Sequence, residues 1–193
     1  MPPPNTQRRE QLADAAIEVL AGEGARGLTH RAVDAAAGAP PGTASRYFRT
    51  REALVRGVVE RVTARVVAEV DGMMVRPVGP DRLEEVLTAE LHRLLTVDDS
   101  LPAALLELHL ESRREPALRG PLAEATAARA GMVLRQCRAA GVDLSGQDAL
   151  LLEMTTIGIL FTAMTARPDD LEGLLRAAVR TALERHLPGA PGG

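Results

Sequence analysis

"GAPPGTASRYF" (residues 38–48) opens with a glycine and two prolines and then runs Thr43, Ala44, Ser45, Arg46, Tyr47 and Phe48 in succession. The Gly-Ala-Pro-Pro run ends one helix, and either proline can sit in the first turn of the next, where its missing N–H has no intrahelical partner anyway. The spacing predicts a short helix over about 41–48. On it Ala44 and Phe48 lie four residues apart on one face, while Thr43, Arg46 and Tyr47 share another, with Ser45 beside them. A helix this short is not stable by itself. Phe48 must anchor it to neighbouring helices, leaving the polar set to point outward.

The flanking sequence supplies those neighbours. Residues 1–7, "MPPPNTQ", read as a disordered arm. From Arg8 a helical period carries Leu12, Ala15, Ala16, Val19 and Leu20 on one face and stops at the Gly22/Gly24 pair. Thr29 is placed to cap a second helix, "HRAVDAAA", with Val33 and Ala36 or Ala37 inward and Gly38 just past its end. A fourth helix starts at Arg51, buries Leu54, Val58, Val62 and Val66, and ends near Met74. Five more are expected at about 81–96, 101–114, 117–140, 146–166 and 169–187, with a frayed tail at 189–193.

Aromatic residues make up only 2% of the 193 residues while apolar residues make up 46%, so the core must be built from Ala, Leu and Val. That composition predicts an all-α fold of about nine helices. The expected organisation is a three-helix head with a helix-turn-helix over 8–50, then a larger helical bundle over 51–188, with the fourth helix as connector.

All 23 basic residues are Arg, for which the codon bias of a GC-rich genome is sufficient explanation. The single Cys137 excludes an internal disulfide framework. The absence of a basic-plus-apolar leader, and of any uninterrupted run of 18 apolar residues, leads to the expectation of a soluble cytoplasmic protein without a membrane partner. Net charge is −3, but it is unevenly spread. Residues 26–65 hold eight Arg against Asp34, Glu52 and Glu60, or +5, whereas residues 71–193 hold 13 Arg against 18 acids, or −5. A basic module joined to an acidic body is the footprint of a nucleic-acid binder.

In a helix-turn-helix the second helix enters the DNA major groove. Arg46 can donate two hydrogen bonds to guanine O6 and N7, and the Thr43 and Ser45 hydroxyls both donate and accept. Tyr47 offers a phenol to a phosphate oxygen. His30 and Arg31 open the second helix and Arg51 the fourth, so these helix starts are candidate phosphate grips, together with Thr29, Pro41 and Gly42.

The stretch "GLTHRAVDAAAGAPPGTASRYFRTREALV" (27–55) resembles the TetR family of bacterial transcriptional repressors at Thr29, Val33, Ala37, Gly38, Gly42, Thr43, Tyr47, Phe48, Arg51, Glu52 and Leu54. It departs from the family pattern at Pro40, often a capping Ser, and at Ala44 and Ser45, often Leu-Tyr. Asp34 stands where the family usually has Ala and is expected to be solvated. The resemblance implies a homodimer that sets two third helices in successive major grooves of an imperfectly palindromic double-stranded operator. It also implies a small-molecule effector in the body that tilts the fourth helix and releases the DNA.

The rest of the chain offers weaker patterns. "ELH" occurs at 90–92 and 107–109, but residues two apart do not share a helix face, and no Glu-x-x-His is present, so neither metal nor cofactor is expected. No catalytic spacing stands out, and no enzyme activity is expected. Residues 106–120 read either as a charged helix surface or as part of a hinge and pocket wall. An effector pocket is expected from His92, Leu95, Leu105, His109, Arg113, Met132, Gln136 and Met154, with the methionines otherwise serving as core packing. "SGQDALLLEMTTIGILFTAMTA" (145–166) is apolar nearly all round and must be covered, either inside the monomer or by a second subunit. The resemblance implies dimerisation through about 146–187. Two other classes stay open at this stage: a helical-bundle enzyme, and an interaction module that does not bind DNA.

Overall fold

The computed structural model describes residues 4–73 and 79–184. Among them are nine α-helices and one 3-10 turn, with no strand: α1 Pro4–Gly27, α2 His30–Ala36, α3 Thr43–Tyr47, α4 Arg51–Met73, α5 Pro80–Thr96, α6 Ser100–Glu111, α7 Arg119–Ala139, α8 Gly146–Ala166 and α9 Leu171–Leu183. The all-α expectation holds, and most boundaries fall within a few residues of those read from the sequence. Helix α1 begins at Pro4, so residues 4–7 are helical and not a disordered arm. The residues before them, the expected tail and the last turn expected for the ninth helix lie outside the described residues.

The chain forms two compact units, one of Met1–Val66 with Ser100–Ala125 and the other of Val67–Asp99 with Thr126–Gly193. This division differs from a boundary at residue 50. Helix α6 packs on α1, so the sixth helix belongs with the head.

In the first unit Leu12, Ala16, Ile17, Leu20, Leu28, Val33, Ala44, Phe48, Leu54 and Val58 are essentially inaccessible to solvent. Phe48 anchors α3 as its spacing predicts. The ring lies against Gly57 of α4, where an added Cβ would overlap it, so the glycine inside that helix makes room for the anchor. The Arg9 guanidinium lies over the same ring, 5.1 Å from its centroid. Helix α1 changes direction at Gly24 (φ 69°), where the sequence expected it to stop.

In the second unit α5 packs against α8 and α9. Ser145 and Asp148 form a reciprocal capping box that starts α8. Arg129 and Glu153 form a buried ion pair joining α7 to α8. At the surface, Arg180 of α9 donates to both carboxylate oxygens of Glu84 on α5, at 3.1 and 2.9 Å. Helix α8 buries only a narrow stripe, Ala149, Glu153, Leu160 and Ala163. Its Leu150, Leu151, Met154 and Gly158 remain exposed, as does Leu174 of α9.

Candidate nucleic-acid interface

Helix α3 has five residues, too few to hold itself. Two features fix it besides Phe48. Gly42 stands before it at φ 84°, a left-handed conformation that a side chain would resist, and turns the chain from Pro41 into Thr43. The carboxylate of Asp34, on α2, accepts hydrogen bonds from Gly42 N and Ala44 N, both at 2.7 Å. These amides begin a helix that has no acceptor of its own for them. Asp34 is buried. The expectation of a solvated substitution is therefore wrong: a carboxylate on one helix caps the other across the turn. The Pro40 position, where a capping serine is usual, needs no hydroxyl once Asp34 supplies the acceptor.

This cap leaves the outer face of α3 free. Arg46 is exposed and Tyr47 half-buried, and neither side chain makes a hydrogen bond or ion pair among the described residues. The hydroxyls of Thr43 and Ser45 donate to the carbonyls of Pro40 and Gly42, at 2.5 and 2.9 Å, so what they retain toward a ligand is acceptor capacity. Pro41 lies in the turn outside the helix, contrary to the expected first-turn position.

Helix α2 starts as expected, with Thr29 Oγ1 accepting from Ala32 N at 3.1 Å. Its first two residues then diverge. Arg31 is exposed and unpaired among the described residues. His30 instead sends Nε2 to the Phe48 carbonyl at 2.6 Å, tying the start of α2 to the end of α3. That nitrogen is not available to a phosphate.

Arg51 departs furthest from expectation. Its guanidinium donates to Leu28 O and Ala25 O, both at 2.7 Å, and reaches Glu111 of α6 at 3.4 Å. Glu107 of α6 accepts from Ala25 N at 3.3 Å. Arg51 therefore ties the start of α4 to the α1–α2 corner and to α6, where the sequence predicts a phosphate grip. Its neighbours show the same pattern. Arg61 donates two 2.8 Å bonds to Asp14, which raise its already high pKa, and Arg65 also pairs with Asp14. Of the eight arginines in 26–65, only Arg26, Arg31, Arg46, Arg49 and Arg56 have no ion pair among the described residues. The acids that engage the other three lie outside that stretch, so the sequence tally overstates the free charge.

Residues 12–58 match the family model "Bacterial regulatory proteins, tetR family", and residues 78–189 match "Tetracyclin repressor-like, C-terminal domain". The chain belongs to the TetR family. It is a helix-turn-helix, DNA-binding transcriptional regulator and not an enzyme. The fold is shared with SCO7518 from Streptomyces coelicolor at 23% identity, over 91% of this chain and 98% of that one, with a TM-score of 0.72. Salmonella enterica GusR is similar at 21% identity over 92% and 95% of the two chains, TM-score 0.68. The multidrug binding protein EbrR, complexed with ethidium, is similar at 25% identity over 94% and 99%, TM-score 0.70. No curated protein sequence matches the chain.

The residues expected to form the TetR-type effector pocket are not all placed for that role. Met132 is buried in α7, and Gln136 on the same helix is half-buried. His92 and Leu95 of α5 are half-buried. In the first unit, Leu105 is buried on α6, and His109 Nδ1 donates to the Leu105 carbonyl at 2.8 Å. Arg113 is exposed just past that helix. Met154 is 57% exposed on the outer face of α8, which removes it from a pocket wall within this chain.

Sequence reasoning missed Asp34 as a cap, and Glu107 and Glu111 as the acids that hold the corner of the head. One clue existed for Asp34: an acid near the end of α2 stands eight residues before a Gly-Thr helix start. No comparable pattern pointed to Glu107.

Proposed function

We propose that this TetR-family chain is a cytoplasmic homodimeric repressor, released from its operator by a small molecule. The observation that carries the DNA-reading part is the outer face of α3, which is capped by Asp34 and presents Arg46, unpaired among the described residues. Arg46 reads a guanine edge, Thr43 and Ser45 accept from base or backbone donors, and Tyr47, Arg31 and Thr29 hold phosphates. Arg51 has no direct part in this set.

Dimerisation is supported by the exposed face of α8 and α9. Leu151, Met154, Gly158 and Thr162 follow one another at helical spacing on α8, and Leu174, Ala177 and Thr181 do so on α9, all exposed. A stripe of this kind on two adjacent helices suits a four-helix interface with a second copy. By length and composition α8 could also cross a membrane. Its Glu153, however, is already paired with Arg129, and helix–helix association through the exposed stripe accounts for the apolar surface.

The effector is an apolar or weakly anionic molecule of moderate size. Ethidium, seen with EbrR, is a flat aromatic cation, for which stacking faces and free carboxylates are the natural partners. This chain has two Phe and one Tyr, and Tyr47 and Phe48 are committed to the head. In the second unit Glu153 and Glu90 are occupied by Arg129 and Arg93. Within the second unit, His92, Leu95, Met132 and Gln136 then supply aliphatic contacts with a few polar groups. Within the first unit, α6 is bonded to the α1–α2 corner through Glu107 and to α4 through Glu111, so a displacement of α6 would reposition both. A preference of about 1–3 kcal/mol for the shifted state changes operator affinity about 5–150-fold.

Footprinting on the region upstream of its own gene, with sedimentation of the free protein, tests this reading. A protected inverted repeat, with half-sites about one helical turn apart or somewhat more, is expected from a dimer. A single unrepeated half-site, or a monomer in sedimentation, would overturn it.

A further inference from the structure

Helices α1 and α3 border a surface cleft of about 470 Å³ lined by Asn5, Thr6, Arg9, Arg46 and Tyr47. Every one of these side chains carries an N–H or O–H donor, and no carboxylate lines the cleft. Arg9 lies over the Phe48 ring and pairs with Glu60 at 2.9 Å. Asn5, Thr6, Arg46 and Tyr47 make no side-chain hydrogen bond or ion pair among the described residues. Four unengaged donors thus converge on a gap beside the recognition helix, with an acceptor missing. Glu60 offsets the charge of Arg9, so the gap would select its occupant by directed donors and by the Arg46 guanidinium, which is unpaired among the described residues.

We infer that this cleft seats one phosphate of the DNA backbone, with Asn5 and Thr6 of α1 as direct contacts opposite Tyr47. The seated phosphate neighbours the base that Arg46 reads, and it fixes the register in which α3 enters the groove. This inference rests on the DNA-reading role of α3. It brings Asn5 and Thr6, which the sequence reads as part of an arm, into the interface, and it assigns Tyr47 a phosphate shared between two helices.

The test uses the full-length chain with Thr6→Glu. Helix α1 has no acid in its first turn, so a glutamate there favours the helix while repelling a phosphate in the cleft. Operator affinity should fall about tenfold at moderate salt, with an unchanged or raised Tm and the same motif selected from random DNA. Asn5→Ala combined with Thr6→Ala should lower affinity about threefold or more, again without changing the motif. Affinity within twofold of the parent for both variants overturns the inference, and so does a changed motif, which would make the occupant a base. Inorganic phosphate, titrated at constant ionic strength, should displace DNA no better than chloride; stronger displacement would make the cleft a free-anion site. A parent chain that selects no motif at all refutes the DNA-reading role itself. A parent that selects one while the variants behave identically refutes only the cleft.

Discussion

Replacing Asp34 by Ala removes the acceptor for two amide donors at the start of α3. Both bonds are short, 2.7 Å, and made to a carboxylate, a class worth about 1.5–3 kcal/mol each. Ala44 is fully buried, so its amide would be stranded without water, whereas Gly42 is exposed and its amide can rehydrate. The first bond is then lost in full and the second only in part, giving about 2–4 kcal/mol. For a chain of this size that lowers Tm by roughly 5–15 °C. Asp34→Asn should fall between parent and Ala, because the amide keeps one oxygen but turns an NH2 group toward the other donor. Urea unfolding followed by circular dichroism measures the loss, and operator binding measured where the variant is still folded should weaken along with it. An Asp34→Ala chain within about 0.5 kcal/mol of the parent, with normal operator affinity, would show that Phe48 and Gly42 hold α3 unaided.

Arg51→Ala should cost about 1–3 kcal/mol of stability and leave the salt dependence of operator binding unchanged, since its donors are spent on Leu28, Ala25 and Glu111. A log–log salt slope shallower by about 0.9 per half-site would make Arg51 a phosphate ligand after all. At Gly158 an added Cβ meets no atom within 4 Å among the described residues, so with Gly158→Arg the fold should survive while sedimentation shows a monomer unable to retard DNA; a dimeric variant would move the interface elsewhere. Burial pushes the Cys137 thiol from 9.0 to about 11, so the folded chain should resist alkylation at neutral pH. The same shift leaves stability unaffected below pH 9.0 and lowers it by about 1.4 kcal/mol per pH unit between 9.0 and 11, a loss that urea titrations should find absent in Cys137→Ala.

Much of the fold was legible because helices announce their ends locally. Thr29 caps α2 and Gly38 closes it, Phe48 anchors α3, and the narrow composition leaves little besides helix-on-helix packing. Most of the failures were contacts made across a turn or between separate helices. Asp34 read as solvated because its two partners lie across a turn, and Arg51 read as a phosphate grip because Glu111 lies 60 residues on. Arg61 and Arg65 counted toward a basic patch although Asp14 of α1 engages both. A polyproline start concealed the helix at Pro4, since proline suits a first turn as well as a disordered arm. Met154 illustrates a different limit: helical periodicity places it on a face but does not say whether that face meets a ligand, a core or another chain.

The central claim is that this chain reads double-stranded DNA through α3, with Arg46 at a base edge. Selection from random duplex DNA, run side by side on the parent chain and on Arg46→Ala, tests it most directly. The parent should enrich an imperfect palindrome with a guanine at matching positions of its two half-sites. Arg46→Ala should bind that sequence about 1–3 kcal/mol more weakly and lose its preference at those two positions alone. An identical enriched motif for both proteins would contradict the assignment of Arg46, and no enrichment by the parent would contradict the claim as a whole.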